Sequence, residues 1–312
     1  MTDLTKYQGI IPAFYACYDD QGNISPERVR ALTQYYIDKG VQGLYINGSS
    51  GECIYQSVFD RQLVLENVMA VAKGKLTIIN HVACNNTKDS IELAAHSERL
   101  GVDAIAAIPP IYFRLPEYAV ADYWNAISSA APHTDFIIYN IPQLAGVALT
   151  PSLYKTMLAN KRVIGVKNSS MPVQDIQTFC AIGGDDRIVF NGPDEQFLGG
   201  RLMGAAAGIG GTYGAMPELF LRLNQLIADK DLEKAKALQY TINEIIGVLV
   251  SAHGNMYGVI KEVLRINEGL DIGSVRSPLA ELVEEDRVIC QRAAALINQA
   301  KETFNKMRGD NK

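Results

Sequence analysis

Lys167 is the residue of this chain best placed to do chemistry. It closes an apolar run, Val163-Ile164-Gly165-Val166, and polar Asn168-Ser169-Ser170 follows. The run reads as a buried strand ending at the rim of a sheet or barrel. Lysine is almost never fully buried unless something pairs with it or uses it. Burial disfavours the ammonium and yields an amine nucleophile able to form a Schiff base with a carbonyl compound. A strand-end lysine can also simply extend its amine to water, and on Lys167 alone that plainer reading prevails.

The elements around Lys167 narrow the choice. From residue 9 to about 230, short apolar runs alternate with longer helical patterns. The expected strands are 9–17, 43–46, 76–83, 104–110, 136–141, 163–167, 188–192 and 206–210. The expected helices between them are 25–39, 60–74, 88–101, 116–131, 151–159, 173–182, 194–203 and 217–230. Ser25 and Pro26 form a helix start, the serine as cap and the proline at the first helical position. Eight strands, each followed by a helix, predict a (β/α)8 TIM barrel over residues 1–230; a doubly wound open sheet is the competing architecture, and the eightfold count favours the barrel. Beyond Asp231 the pattern is helical throughout: 232–252, 255–268 and 283–307. We read residues 231–312 as a C-terminal three-helix extension docked on the barrel.

Chemistry in a barrel sits at the C-terminal ends of the strands. Those positions hold Gly48-Ser49-Ser50-Gly51-Glu52 after strand two, Tyr112 after strand four and Tyr139-Asn140-Ile141-Pro142 at strand five. They hold Lys167 at strand six, Gly192-Pro193-Asp194-Glu195 at strand seven, and Gly208-Ile209-Gly210-Gly211-Thr212 at strand eight. The hydroxyls of Ser49 and Ser50, beside backbone N–H groups that Gly48 and Gly51 leave open, suit a carboxylate. A carboxylate beside a Schiff-base lysine implies a 2-oxo acid. Tyr139 could move protons between the carbinolamine and a substrate hydroxyl. Taken singly, each feature has a plain structural alternative, a core tyrosine or an ordinary turn; their agreement across positions carries the reading.

Other chemistries find less support. The four histidines, His81, His96, His133 and His253, show no HxH or HExxH spacing, so no metal site is expected. The Gly208–Gly214 loop misses GxGxxG because Tyr213 stands where glycine is needed, and no nucleotide or other cofactor is expected. The net charge of −5, with no basic stripe, makes nucleic acid and anionic membrane poor partners. No apolar run is long enough to span a bilayer, and the N-terminus lacks the apolar stretch of a signal peptide. The five cysteines are odd in number, without CxxC spacing, and read as free thiols in a reducing cytoplasm. The Asn-x-Ser/Thr matches at Asn47 and Asn85 are then chance.

These residues resemble the dihydrodipicolinate synthase / N-acetylneuraminate lyase family of class I pyruvate aldolases, over essentially the whole chain. Gly48-Ser49-Ser50-Gly51-Glu52 is similar to the family's pyruvate-carboxylate loop, Tyr139-Asn140-Ile141-Pro142 to its YN[IV]P element, and Lys167 to its Schiff-base lysine. The resemblance implies that Ser49 and Ser50 hold the carboxylate, that Ser49 links the proton relay, and that Tyr139 is the acid/base. It implies that Tyr112 is donated across a dimer interface in a homotetramer, a dimer of dimers. Dihydrodipicolinate synthases usually carry an arginine shortly after YN[IV]P; here stands Gln143-Leu144-Ala145-Gly146, as in the apolar stretch of the neuraminate lyases. Gly192, Asp194 and Glu195 match the element with which those lyases hold the sugar polyol, although capping of the following helix is an alternative use of the two acids. Ser50, Gly211 and Pro193 depart from the usual threonine, serine and aromatic residue; Ser169 keeps a hydroxyl where threonine is common. The expected activity is therefore cleavage of N-acetylneuraminate. The alternatives are dihydrodipicolinate synthesis, another 2-keto-3-deoxy sugar acid aldolase or dehydratase, or a silent sugar-acid binding protein on the same fold.

Overall fold

The structure, a computed structural model, describes residues 3–306. Eight strands run parallel: β1 Gly9–Pro12, β2 Gly43–Ile46, β3 Thr77–His81, β4 Ala104–Ala107, β5 Asp135–Asn140, β6 Val163–Asn168, β7 Ile188–Asn191 and β8 Ala207–Gly210. They pair in the order β1-β8-β7-β6-β5-β4-β3-β2. A parallel bridge between Ala13 and Tyr45 joins the two ends, so the sheet closes on itself as a TIM barrel. The first strand stops at Pro12 rather than Cys17, because beyond it only the Ala13 bridge continues the pairing.

The helices are α1 Pro26–Lys39, α2 Val58–Ala72, α3 Thr87–Leu100, α4 Glu117–Ser129, α5 Pro142–Ala145, α6 Pro151–Met157, α7 Gln174–Gly183, α8 Phe197–Leu202, α9 Pro217–Ala228, α10 Leu232–Leu249, α11 Met256–Glu268 and α12 Asp286–Lys306. Their starts carry the expected chemistry. The Ser25 side chain accepts from the Arg28 N–H at 3.3 Å, and Ser57 and Asp60 form a reciprocal capping box on α2. The single turn α5 was not expected from the sequence. The helix expected over 194–203 divides into a 3₁₀ turn, Asp194–Gln196, and α8. Three helices follow Asp231, as the pattern beyond it predicts; Met307, the last residue of the expected third helix, lies outside the described residues. No helix among the described residues is long and apolar enough to cross a membrane.

Two apolar layers hold the barrel. Side chains facing inward fill its centre, among them Ile11, Ile79, Ile137, Ile164, Ile188, Phe190 and Ile209. Side chains facing outward, such as Ile46, Val166 and Val189, pack under the ring of helices. Strict alternation from Val163, which faces the helices, would put Lys167 outside as well. A β-bulge prevents this. The β5–β6 register runs Phe136–Val163 and then Ile137–Gly165, so one residue of β6 is extra. Ile164 and the Gly165 position share the inner side, Val166 returns to the outside, and Lys167 points into the barrel beside Tyr139 and Phe190.

Gly165 is the residue that permits the bulge, since a Cβ there would overlap the Ile188 carbonyl oxygen on β7. We expect Gly165→Ala to cost about 3 kcal/mol or more by this backbone clash. Gly247→Ala, in the last turn of α10 with nothing within 4 Å of the added carbon, should instead gain about 0.5 kcal/mol. Urea unfolding midpoints of the two variants measure both, and an unchanged midpoint for Gly165→Ala overturns the role given to the bulge.

Candidate active site

A cavity of about 290 Å³ opens at the C-terminal ends of the strands. That is close to the lower bound of small-molecule sites, about 300 Å³. Lys167, Tyr139, Ser49, Ser50, Ser169, Gly192, Asp194, Glu195 and Gly211 all line it. The fold thus gathers nine of the residues singled out above from β2, β5, β6, β7 and β8 into one volume. Lys167 is the one cation among the lining residues.

The Lys167 side chain is buried, at 5% exposure. Its Nζ lies 3.6 Å from the Tyr139 ring centroid and 4.7 Å from that of Tyr45, so aromatic faces rather than a carboxylate surround the amine. Burial lowers its pKa to about 7, and the charge of Asp194 works in the opposite direction. A large fraction of the amine is therefore neutral and nucleophilic at neutral pH.

Tyr139 is held at the neighbouring register position to Lys167. Burial raises its phenol to about 12, while the hydroxyls of Ser49 and Ser169 oppose the rise. The phenol is thus protonated at rest, with two hydroxyls near enough to influence it. Beneath it, one row of asparagines fixes the strand ends. Asn140 Nδ2 donates to Asn168 Oδ1 at 2.7 Å, and Asn191 Nδ2 donates to the Pro193 carbonyl at 2.7 Å. The backbone N–H of Ser169 donates to the Asn140 carbonyl at 2.7 Å, and Gln143 Nε2, brought in by α5, donates to the Ser169 carbonyl at 2.7 Å.

Ser49, Ser50 and Gly51 form one 3₁₀ turn directly after β2. Ser50 Oγ stands 3.1 Å from the Tyr257 hydroxyl of α11. Gly48 lies behind this turn and does not line the cavity; a Cβ there would press on the Tyr45 ring. Gly210 likewise stands behind the wall, where a Cβ would meet Asp194 and Tyr213. Gly211 does line the cavity, with its carbonyl accepting from the Tyr15 hydroxyl at 2.7 Å.

Asp194 does not cap the helix that follows it, since no side-chain cap is formed there. Its Oδ2 accepts from both the backbone N–H and the hydroxyl of Thr212, each at 2.6 Å, which ties the end of β7 to the end of β8. Its Oδ1 is buried without a hydrogen-bond partner. Burial raises this carboxyl to about 7 against the Thr212 bonds, which lower it. Glu195 is exposed at the mouth of the cavity. Helix α10 holds this segment from behind: Gln239 Nε2 donates to the Asp194 carbonyl at 3.1 Å and Asn243 Nδ2 to the Glu195 carbonyl at 3.0 Å.

Tyr112 is not part of this volume. It is 90% exposed, stacks edge-on against Phe113, and adopts φ +85°, a conformation that is rare for a bulky residue. Sequence reasoning gave no site role to several wall residues: Tyr45 and Tyr257, and Gln143 and Thr212, which it named only as parts of loops. Tyr257 could not be read from any motif, because it arrives from a helix some 200 residues after the serine it meets. No group of three or more His, Cys, Asp or Glu placed to hold a metal ion occurs among the described residues.

The chain matches the model of the Dihydrodipicolinate synthetase family over residues 6–297. It is 66% identical over 304 residues to an N-acetylneuraminate lyase of Mediterraneibacter gnavus, covering 97% of this chain and 96% of that one. An N-acetylneuraminate lyase of Salmonella typhimurium is 33% identical over 278 residues, covering 89% of this chain and 93% of that one. Among solved structures, wild-type Ruminococcus gnavus sialic acid aldolase superposes with a TM-score of 0.95 at 67% identity, over 96% of this chain and 99% of that chain. An amine at the end of β6, a phenol beside it and a serine turn opposite are thus set in a barrel whose likeness to these proteins runs nearly end to end, and this chain belongs to the dihydrodipicolinate synthetase family.

Proposed function

We propose that this protein is an N-acetylneuraminate lyase, a class I aldolase that cleaves N-acetylneuraminate to N-acetylmannosamine and pyruvate. The observation that carries this reading is the buried Lys167 amine, at a pKa of about 7, facing Tyr139 and the Ser49–Ser50 turn across a small cavity. The high identity to enzymes of that name supports the choice of substrate. The absence of a second cation among the lining residues disfavours a second substrate that carries its own carboxylate, as dihydrodipicolinate synthesis requires.

The reaction follows from the geometry. The carboxylate of the open-chain sugar acid sits on the Ser49–Ser50 turn, which brings the adjacent 2-oxo carbon to Lys167. The neutral amine adds to that carbon, and the carbinolamine loses water to give an imine. The positive charge of the protonated imine now lies over the Tyr139 ring face and lowers the phenol's pKa from its resting value of about 12. Tyr139 has given its proton to the carbinolamine hydroxyl that left as water, and the resulting phenolate, relayed through Ser49, takes the proton of the substrate 4-hydroxyl. The C3–C4 bond breaks, its electrons pass into the imine as an enamine, and the aldehyde product leaves. Protonation at C3 and addition of water release pyruvate and restore the amine. Asp194 and Glu195, with Ser169, Gly192 and Gly211, serve as the wall against which the sugar hydroxyls bind. No metal, nucleotide or other cofactor takes part in this sequence.

We further propose a cytoplasmic homotetramer acting in sialic acid catabolism, in which Tyr112 completes the site of a second copy. The support is the near-complete exposure of Tyr112 beside exposed Phe113 and Tyr118, an apolar surface of the kind that marks contacts between chains.

Borohydride reduction in the presence of pyruvate should add a stable adduct to the peptide carrying Lys167. A mass shift on another lysine, or none, overturns the mechanism. The rate of trapping should rise with pH to a midpoint near 7, because only the neutral amine attacks. Asp194→Asn should move that midpoint to lower pH, since the Asp194 charge holds the amine's pKa up; an upward move contradicts the assignment.

Tyr139→Phe should keep the pyruvate adduct and lose about 10²–10⁴-fold in turnover of N-acetylneuraminate. Near-normal turnover removes Tyr139 from the proton path. Light scattering should give the mass of four chains, and Tyr112→Phe should lower turnover less than Tyr139→Phe does. A fully active monomer overturns the assembly.

A further inference from the structure

Two residues of α11 reach back across the molecule to the serine turn that follows β2. Tyr257 and Lys261 are four residues apart, so they share one face of the helix. Tyr257 meets Ser50, with 3.1 Å between the hydroxyls. Lys261 Nζ donates to Glu52 Oε1 at 2.8 Å, and the two side chains are 2% and 0% exposed. The rest of the Glu52 carboxylate is also committed: Oε2 accepts from the Tyr18 hydroxyl at 3.0 Å and the Arg276 backbone N–H at 2.9 Å. Lys261 donates further to the Ser274 carbonyl at 2.6 Å. Glu52 holds φ +55° directly after the turn, an unfavourable conformation for a non-glycine residue that its three side-chain contacts stabilise. At the other end of this face, Asn255 Oδ1 accepts from the Tyr257 N–H at 2.9 Å and fixes the first turn of α11. None of these contacts belongs to the strand pairing of the barrel, and those of Tyr257, Lys261, Tyr18 and Arg276 converge on Ser50 and Glu52.

Resting on the function proposed above, we infer that Tyr257 and Lys261 are positioning residues for the carboxylate-binding turn: α11 clamps Ser50 and Glu52 so that the Ser49–Ser50 turn keeps its place for the carboxylate of the 2-oxo acid. The Ser50 hydroxyl donates to that of Tyr257, which ties the Ser50 side chain to α11. Lys261 fixes the backbone that presents it. Gly211 leaves room for this arrangement, because a Cβ there would lie 3.3 Å from Ser50 Oγ and 3.6 Å from the Tyr257 hydroxyl. The helical extension is on this view part of the substrate site rather than an outer support.

The measurement is the pyruvate concentration that gives half-maximal borohydride trapping at Lys167, with kcat and KM for N-acetylneuraminate alongside. Tyr257→Phe keeps the ring and removes the hydroxyl. It should raise the half-saturating pyruvate concentration about fivefold, the effect of one lost hydrogen bond, and leave the trapping rate at saturation unchanged. Ser50→Ala should raise it as well, and Tyr257→Phe added to Ser50→Ala should raise it no further. An unchanged value for Tyr257→Phe overturns the inference. So does a further loss in the double variant, which would mean that Tyr257 acts on the substrate directly. Lys261→Met strands the Glu52 carboxylate and should weaken pyruvate binding; Glu52→Gln in the same chain should restore most of it, and failure to restore it in a folded double variant counts against the clamp. If Lys261→Met does not fold, the Tyr257 and Ser50 variants still decide the question. If wild type gives no Lys167 adduct at any pyruvate concentration, the proposed chemistry itself fails, an outcome distinct from an adduct whose half-saturation ignores Tyr257.

Discussion

An uncharged amine held inside a barrel is the condition on which everything else in this molecule depends. An ammonium taken out of water loses most of its solvation, and only a close carboxylate or a shift to the neutral form offsets the loss. Lys167 has no such carboxylate in contact; two aromatic faces border it, and Asp194 acts on it through space. The arrangement keeps the amine near the midpoint of its titration at neutral pH. A tighter ion pair would keep it charged and unreactive, and an exposed position would return it to the ordinary lysine range.

That requirement spreads outward. The amine needs a dry centre, which the inner layer of isoleucines and Phe190 supplies. It needs a proton path, and the phenol at the next register position meets this need because a parallel sheet sets equivalent residues of neighbouring strands side by side. The rim of the barrel must then carry polar groups without leaving them unpaired. The asparagines meet most of this need: those at the ends of β5 and β6 bond to each other, and Asn191 at the end of β7 donates to the loop that leaves it, although its Oδ1 has no partner. Asp194, which lines the cavity, keeps a buried carboxylate oxygen, Oδ1, without a partner.

The helices after Asp231 share in this arrangement. Helix α10 holds the backbone of the Asp194–Glu195 segment, and α11 holds the Ser50–Glu52 segment. The buried Glu52–Lys261 pair is weak evidence for stability, because desolvation of two charges consumes most of the Coulomb attraction. Its geometric effect is clearer: with its partners all placed, the carboxylate admits one position for the turn that bears Ser49 and Ser50. Ser50 and Gly211 both lie beside the Tyr257 hydroxyl.

The amino-acid sequence alone determined the alternation of strands and helices, the eightfold count, the helical C-terminal part and the chemistry available at the strand ends. These are legible because they depend on local signals: apolar runs, caps such as Ser25, and short motifs such as Gly48–Glu52 and Tyr139–Pro142. Nine of the residues singled out in that way share one cavity. Tertiary structure decided the rest. The bulge at Ile164–Gly165 turns Lys167 inward, where period-two alternation from Val163 would have faced it toward the helices. Asp194 turns to Thr212 rather than to the helix it precedes, because the end of β8 offers it two donors at once. Tyr257 and Lys261 meet the serine turn from more than 200 residues away, and Tyr112 points away from the site of its own chain. The physical reason is the same in each case. Local sequence sets which conformations and which chemistry are possible, whereas the direction of a side chain and the identity of its partner depend on strand register and on elements that come together only when the barrel closes.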